Sequence, residues 1–412
     1  MKNKKNSILI LLTLITVVTS FCFFIFKETD NSAEEVDLAV IVNGVSGSSI
    51  PTDRGYDVEV SCLNATGSWN RTNWSLDLTN FNKNHVKCNL VFTKGNVIKD
   101  AILKNEYGTT VEDAKTKIAA KNAPSFNSNS VTDEGLHVST DNYGDTYFFR
   151  GKLDRNYVYF AGFYWRIIRI NGDGSIRMIY SGIDETQSDD DAHIGKHTFN
   201  TERNLPGYTG YMYGNDLTTS YETAIKNEVS SNVKNVLDSW YEANIKDTTY
   251  ENYISDTIFC NDRTLTSGDG FSGTVATVYA GFTRLRSTIK TPTLSCTIKN
   301  DTFTVSDAIG NQALTYSIAL ITADEVNMAG LRYDTGNPDF YLNINQWFWA
   351  MTPYQVTTSS SGAQNFILAG MGSNSSSSVT IQNAVRPVIN LKGSTIVSGT
   401  GTLTNPYKIL ES

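Results

Sequence analysis

This 412-residue chain holds only 4 His, 5 Cys and, among its 76 ordinary charged groups, 34 basic and 42 acidic side chains. Its chemistry has to come from that short stock. Asp189-Asp190-Asp191 stands close to His193 and His197, which is a metal-ligating set of residue types. The tight run of like charges reads better as a solvated acidic loop. Asp173, in Asn171-Gly172-Asp173-Gly174, reads as a hairpin turn, since a calcium loop wants more carboxylates at helix-loop-helix spacing. His137, His193 or His197 could serve a Ser/His/Asp triad, which is defined by geometry and not by chain order. No nucleophile elbow, His-Glu-x-x-His pair or phosphate loop accompanies them. Asn337-Pro338-Asp339 reads as a plain turn. The sequence is thus expected to be no enzyme, with no cofactor and no resident metal.

What the chain offers in quantity is stacking and neutral hydrogen bonding. Trp347 and Trp349 are two apart, so they share a face if the segment is a strand. Exposed, they would stack on a sugar or peptide; buried, they are core. After them, 354–382 is rich in short polar side chains, with eight serines between 359 and 378. Tyr354, Gln355, Gln364, Asn365 and Asn374, with the two tryptophans, form the candidate ligand-binding set, a loop region whose Ser and Asn side chains are expected to be solvated and replaceable; a Ser-rich surface loop with no partner is the alternative. Adaptable hydrogen-bonding groups beside aromatic anchors are the composition of paratopes. Phe366, Ile367 and Leu368 make a strand inside the region. Arg386, between apolar neighbours in Val385-Arg386-Pro387-Val388, reads as a buried arginine bridging backbone carbonyls or a carboxylate.

The elements that position these residues follow from hydrophobic spacing. Residues 36–94 alternate with period two, with Val36, Leu38, Val40 and Val42 on one face and Cys88, Leu90 and Phe92 on the last strand; a small all-β sandwich is expected. Residues 95–124 carry helical spacing in two short pieces, broken at Tyr107-Gly108 and capped at Thr110, read as a spacer. From 125 the chain reads as one larger unit. Strands are expected at 147–150, 157–160, 163–170 and 176–180, an amphipathic helix at 221–245, and a second helix capped at Thr322 and ended at Gly330. Trp165 and Trp240 are expected in its core.

The N-terminus sets the compartment. Three lysines precede Ser7–Phe26, a charge-free run that at about 1.5 Å per residue reaches about 30 Å. It ends on bulky residues, so an uncleaved signal anchor over 1–27 is expected, followed by a polar tether at 28–35, with secretion as the outcome if the signal is cleaved. In an exported chain, Cys62 pairs most simply with Cys88 and Cys260 with Cys296, each bond contributing about 3–4 kcal/mol. Reduced, buried thiols are the alternative. The sequons at Asn64, Asn70 and Asn73 read as chance in an Asn-rich chain. Charged residues are only 18%, and a net charge of −8 speaks against nucleic acid as a partner.

One stretch has a family look. Thr322–Gly330 reads TADEVNMAG; Trp347-Phe348-Trp349-Ala350-Met351-Thr352-Pro353 follows, then Val385-Arg386-Pro387 and Asn405-Pro406-Tyr407. This order resembles N-terminally anchored surface proteins of Gram-positive bacteria. Their C-terminal domain of unknown function is related to the C-type lectin-like fold, in its formylglycine-generating-enzyme branch. The resemblance spans 125–412. It implies an α+β fold: a C-type lectin-like domain behind the small β-sandwich and an N-terminal transmembrane helix. The branch's enzyme needs a late pair of thiols, and this chain has no Cys after Cys296. The function expected is that of a surface-anchored protein recognising an unknown extracellular glycan or protein; a cell-envelope scaffold is the alternative and a hydrolase a remote one.

Overall fold

The computed structural model describes residues 36–80, 85–185, 189–333, 335–359, 362–369 and 373–410. Strands hold 35% of the chain and helices 17%, spread over several sheets, so the α+β lectin-like expectation gives way to a mostly β architecture. Two local causes are visible. The expected helix at 221–245 divides into Tyr221–Ala224 and Asn232–Asn244, because Val229–Ser230 pairs with Met212–Tyr213 as strand and the Ser231 side chain takes the Lys234 amide to start a new helix. The Ser-rich region, expected to be loop around one short strand, folds as a hairpin in which Ala363–Ala369 pairs with Ser373–Ser378. No helix among the described residues is long and apolar enough to cross a membrane. The expected anchor at 1–27 and the tether at 28–35 lie outside those residues.

The chain forms two compact units. One takes residues through Val97 with Ile396–Ser398 and the chain from Ile409; the other takes Ile98–Thr395 and Gly399–Lys408. The larger unit therefore includes the helices Ile98–Tyr107 and Val111–Ala119, the pair read from sequence as a spacer.

In the smaller unit, β1 (Val36–Val42) runs parallel to β5 (Val86–Lys94), and β2 (Tyr56–Leu63) runs antiparallel to β5 on its other side. The β3–β4 hairpin (Thr66–Asn70 and Ser75–Thr79) lays Leu76 and Leu78 against Val86, Leu90 and Phe92. Trp69 meets Phe92 edge-on at 5.1 Å. Period-two alternation is what makes this possible: it puts Val36, Cys88, Leu90 and Phe92 on one side of the sheet and Lys87, Asn89, Val91 and Thr93 on the other. Cys62 and Cys88 are cross-strand partners and form a disulfide, Cα–Cα 4.1 Å.

In the larger unit, β6 (Asp133–Asp141) and β7 (Gly144–Gly151) form a hairpin, and β7 also pairs with β9 (Phe163–Ile170). The chain of strands then runs from Val388–Leu391 through β10 (Ile176–Gly182), β9 and β8 (Tyr157–Phe160) to the parallel partner Tyr407. The 171–174 turn closes the β9–β10 hairpin with Gly174 at φ 84°, a backbone that favours glycine. Trp165 is fully buried and packs edge-on against Tyr180 and Trp240, with its indole N–H on Phe160 O. A second sheet is built around β11 (Phe348–Val356). Ala363–Ala369 and Thr277–Tyr279 pair with it, and Gln382–Ala384 joins it to Lys196–Thr198. Cys260 and Cys296 form the second disulfide, Cα–Cα 5.7 Å. Two disulfides fit an oxidising, extracytoplasmic compartment.

Candidate functional site

The expected binding set separates by exposure. Trp349 lies inside β11 and is fully buried, its indole N–H on His197 O and its ring against Phe199. Tyr354 is 5% exposed and holds the Tyr333 hydroxyl at 2.7 Å. Asn365 is fully buried and donates to Thr209 O. These three are core and offer no face to a ligand, and Asn365 is not the freely replaceable loop residue the sequence led us to expect. Gln355 and Gln364 are half-buried and bond to each other across the strand pair. The side chain of Asn374 lies outside the described residues.

Trp347 is different. It immediately precedes β11, its carbonyl taking the Ala384 amide, and its side chain is 51% exposed. The two tryptophans do not share a face, because the strand begins only at Phe348. Beside Trp347 the chain is pinned to the acidic loop: Asn345 Nδ2 donates to Asp189 Oδ2 at 2.9 Å, and Gln346 Nε2 to Asp190 Oδ1 at 3.2 Å. The loop expected at 189–191 is thus tied to amides. Among the described residues no group of acids, His or Cys could hold a metal ion. His193 accepts the Gly195 amide at Nδ1; burial, with Lys196 adding, pushes its pKa down. His137 stacks on Phe148 and stands 3.3 Å from Glu134 in the β6–β7 hairpin. Of the histidines considered for a triad, His137 sits on β6, and His193 and His197 lie four residues apart on the segment that enters Lys196–Thr198. The Asn345–Trp347 arrangement was missed in sequence because the loop before β11 carries no periodic signal; the Asn-x-Asn-Gln-Trp run was the visible trace.

A second concentration of chemistry is a cleft walled by Asp141, Arg169, Arg177, Asp262, Arg284, Asp324 and Glu325, next to the Cys260 end of the disulfide. Glu325 reaches it from the first turn of Ala323–Met328, where it also completes a capping box with Thr322. Its carboxylate meets Arg177 Nε at 2.6 Å and Arg169 Nε at 3.1 Å, and Arg169 reaches on to Asp141 at 2.6 Å. Arg284 joins Asp262 at 2.6 Å and Asp324 at 2.5 Å. Burial pushes Glu325 up, and Arg177 and Arg169 outweigh it, so its carboxyl sits below the usual range. A carboxylate held ionised between two guanidiniums is a poor general acid, and one already paired is a poor base. The cavity is about 30 Å³, room for one or two waters. Small-molecule pockets run about ten times larger. The cleft is an internal ion network that fixes the β9 and β10 strands to the 322–328 helix. Sequence reading took only the helix cap at Thr322; the arginines in the apolar run of β9 were the signal for the ion network.

Arg386 is 1% exposed and donates to Tyr180 O and Leu342 O, so of the two buried roles expected of it, the structure has the carbonyl bridge. No family model, curated protein or solved structure matches this chain.

Proposed function

We propose that the chain is an extracytoplasmic recognition protein that binds a glycan or protein ligand at the Trp347 edge of its larger unit. The carrying observation is a half-exposed indole set beside amides and carboxylates that are already held in place. An indole face stacks on the C–H face of a sugar ring, and fixed amide and carboxylate groups take its hydroxyls. Gln355 and Gln364, half-buried on β11 and its neighbour, extend the polar surface of the same sheet. The resemblance to anchored surface proteins agrees with this reading, as does the charge-free segment at 7–26, which we propose retains the protein at the cell membrane.

The test is a glycan and protein array probed with the full chain and with Trp347→Ala. The variant should lose binding by tenfold or more while its stability changes by no more than about 0.5 kcal/mol. Trp349→Ala, a core truncation, should instead cost about 3–5 kcal/mol. A Trp347→Ala protein that binds like the parent would end this reading and leave a cell-envelope scaffold as the better account. Fractionated cells should hold the protein with the membrane; a freely secreted product would remove the anchoring part alone.

A further inference from the structure

Arginine keeps its charge in a protein interior, because its pKa is too high for burial to strip the proton. Most buried guanidiniums of this chain accordingly meet a carboxylate: Arg169 and Arg177 meet Glu325, Arg263 meets Asp301, and Arg284 meets Asp324. Arg166 and Arg386 do not follow that pattern. They are 6% and 1% exposed. Among the described residues, neither has an ion-pair contact with a carboxylate. Arg166, on β9, donates to Asn156 Oδ1, Tyr157 OH and Leu153 O at 2.6–2.7 Å. Arg386 donates to Tyr180 O twice and to Leu342 O. A guanidinium has five N–H groups, so among the described residues each of these has two to spare.

The two cations converge on one short segment. The Arg166 head lies 5.2 Å from the Tyr341 ring centroid, and Arg386 holds the carbonyl of the next residue, Leu342. Tyr341 is 7% exposed, and its buried hydroxyl has no hydrogen-bond partner among the described residues. The acids that act on these arginines through space are Asp154, which is exposed, and Asp189, whose carboxylate is engaged by Asn345. Burial first, and Arg166 second, bring the pKa of Arg386 down to about 9, so it remains charged at neutral pH. Two buried guanidiniums with no carboxylate in ion-pair contact, and a buried O–H donor with no partner, among the described residues, are the chemistry of an anion receptor.

We propose that Arg166, Arg386 and Tyr341 form a buried site for one small monovalent anion, a halide or a small carboxylate such as formate. The inference is independent of the ligand reading above. The site would take up the spare N–H groups and the Tyr341 hydroxyl, and would brace the segment that leads to Trp347.

The full chain is melted in sodium gluconate, an anion too large to enter, and in mixtures where chloride or formate replaces it at constant ionic strength. Binding to the folded state alone should raise the melting temperature by about 3 °C at an anion concentration about ten times Kd, and further in proportion to the logarithm of concentration above that. The arm that responds tells halide from carboxylate. Tyr341→Phe removes one donor, keeps the ring, and should shift the half-saturating concentration upward at least fivefold. Equal melting in all three anions, or an unchanged response in Tyr341→Phe, overturns the site. Should that variant not fold, bromide-soaked crystals of the parent decide: an anomalous peak between the two guanidiniums supports the site, and no peak there overturns it.

Discussion

At the scale of single residues, burial separates side chains that the sequence could only group by type. Trp347 and Trp349 look alike in the chain, and the start of β11 at Phe348 sends one outward and one into the core. Asn365 looks like a surface amide and is fully buried. Arg386 was legible, because an arginine flanked by Val385, Pro387 and Val388 has nowhere to go but inward. Glu134 carries a pH prediction of its own. The His137 contact, partly opposed by burial and helped by Ser130 and Arg150, holds its carboxyl at about 2, against an ordinary 4.5. A folded-state pKa below the unfolded one stabilises fully above the unfolded value and fades as pH falls towards the folded one. Part of the acid loss of stability between pH 4.5 and about 2 should therefore belong to Glu134. Glu134→Gln should flatten that limb of a melting-temperature profile; an unchanged slope would show that other carboxylates set it.

Among elements, strands announced by alternation were readable and elements made by pairing were not. The β1, β2 and β5 strands and the β9–β10 hairpin lie where period-two spacing and the Asn-Gly turn place them. The parallel β1–β5 pairing is a long-range choice with no local signature. The same holds for the Ser373–Ser378 strand, whose composition favours loop and whose pairing with Ala363–Ala369 overrides it. Both cysteine pairs were legible because each joins segments 26 and 36 residues apart, close in sequence as well as in space. Non-reduced peptide mapping should recover Cys62–Cys88 and Cys260–Cys296. Replacing either pair by serine should cost about 3–4 kcal/mol. Loss of Cys62–Cys88 should fall on the smaller unit, which has the smaller core; a single cross-paired peptide would contradict the connectivity.

At the scale of the whole molecule, the C-terminal part of the chain comes back to contribute to both units. Ile396–Val397 pairs with Asn96–Val97 in the smaller unit, and Tyr407, fully buried, pairs with Val158 in the larger one, its hydroxyl taking the Asn105 amide. No sequence pattern foretells this, since three-residue strands are too short to carry a period. Ending the chain after Thr395 should therefore damage both units, lowering thermal stability and opening each to protease; parental melting of the truncated chain would count against the closure. The returning strand also bears on synthesis. A ribosome makes the first residues of the smaller unit first, yet that unit lacks a strand until almost the entire chain has been translated. If export is threaded from the N-terminus, the earliest segment to reach the outside waits, unfinished, for the last. The Cys62–Cys88 bond, formed between strands that arrive early, is a covalent restraint that can hold that segment meanwhile.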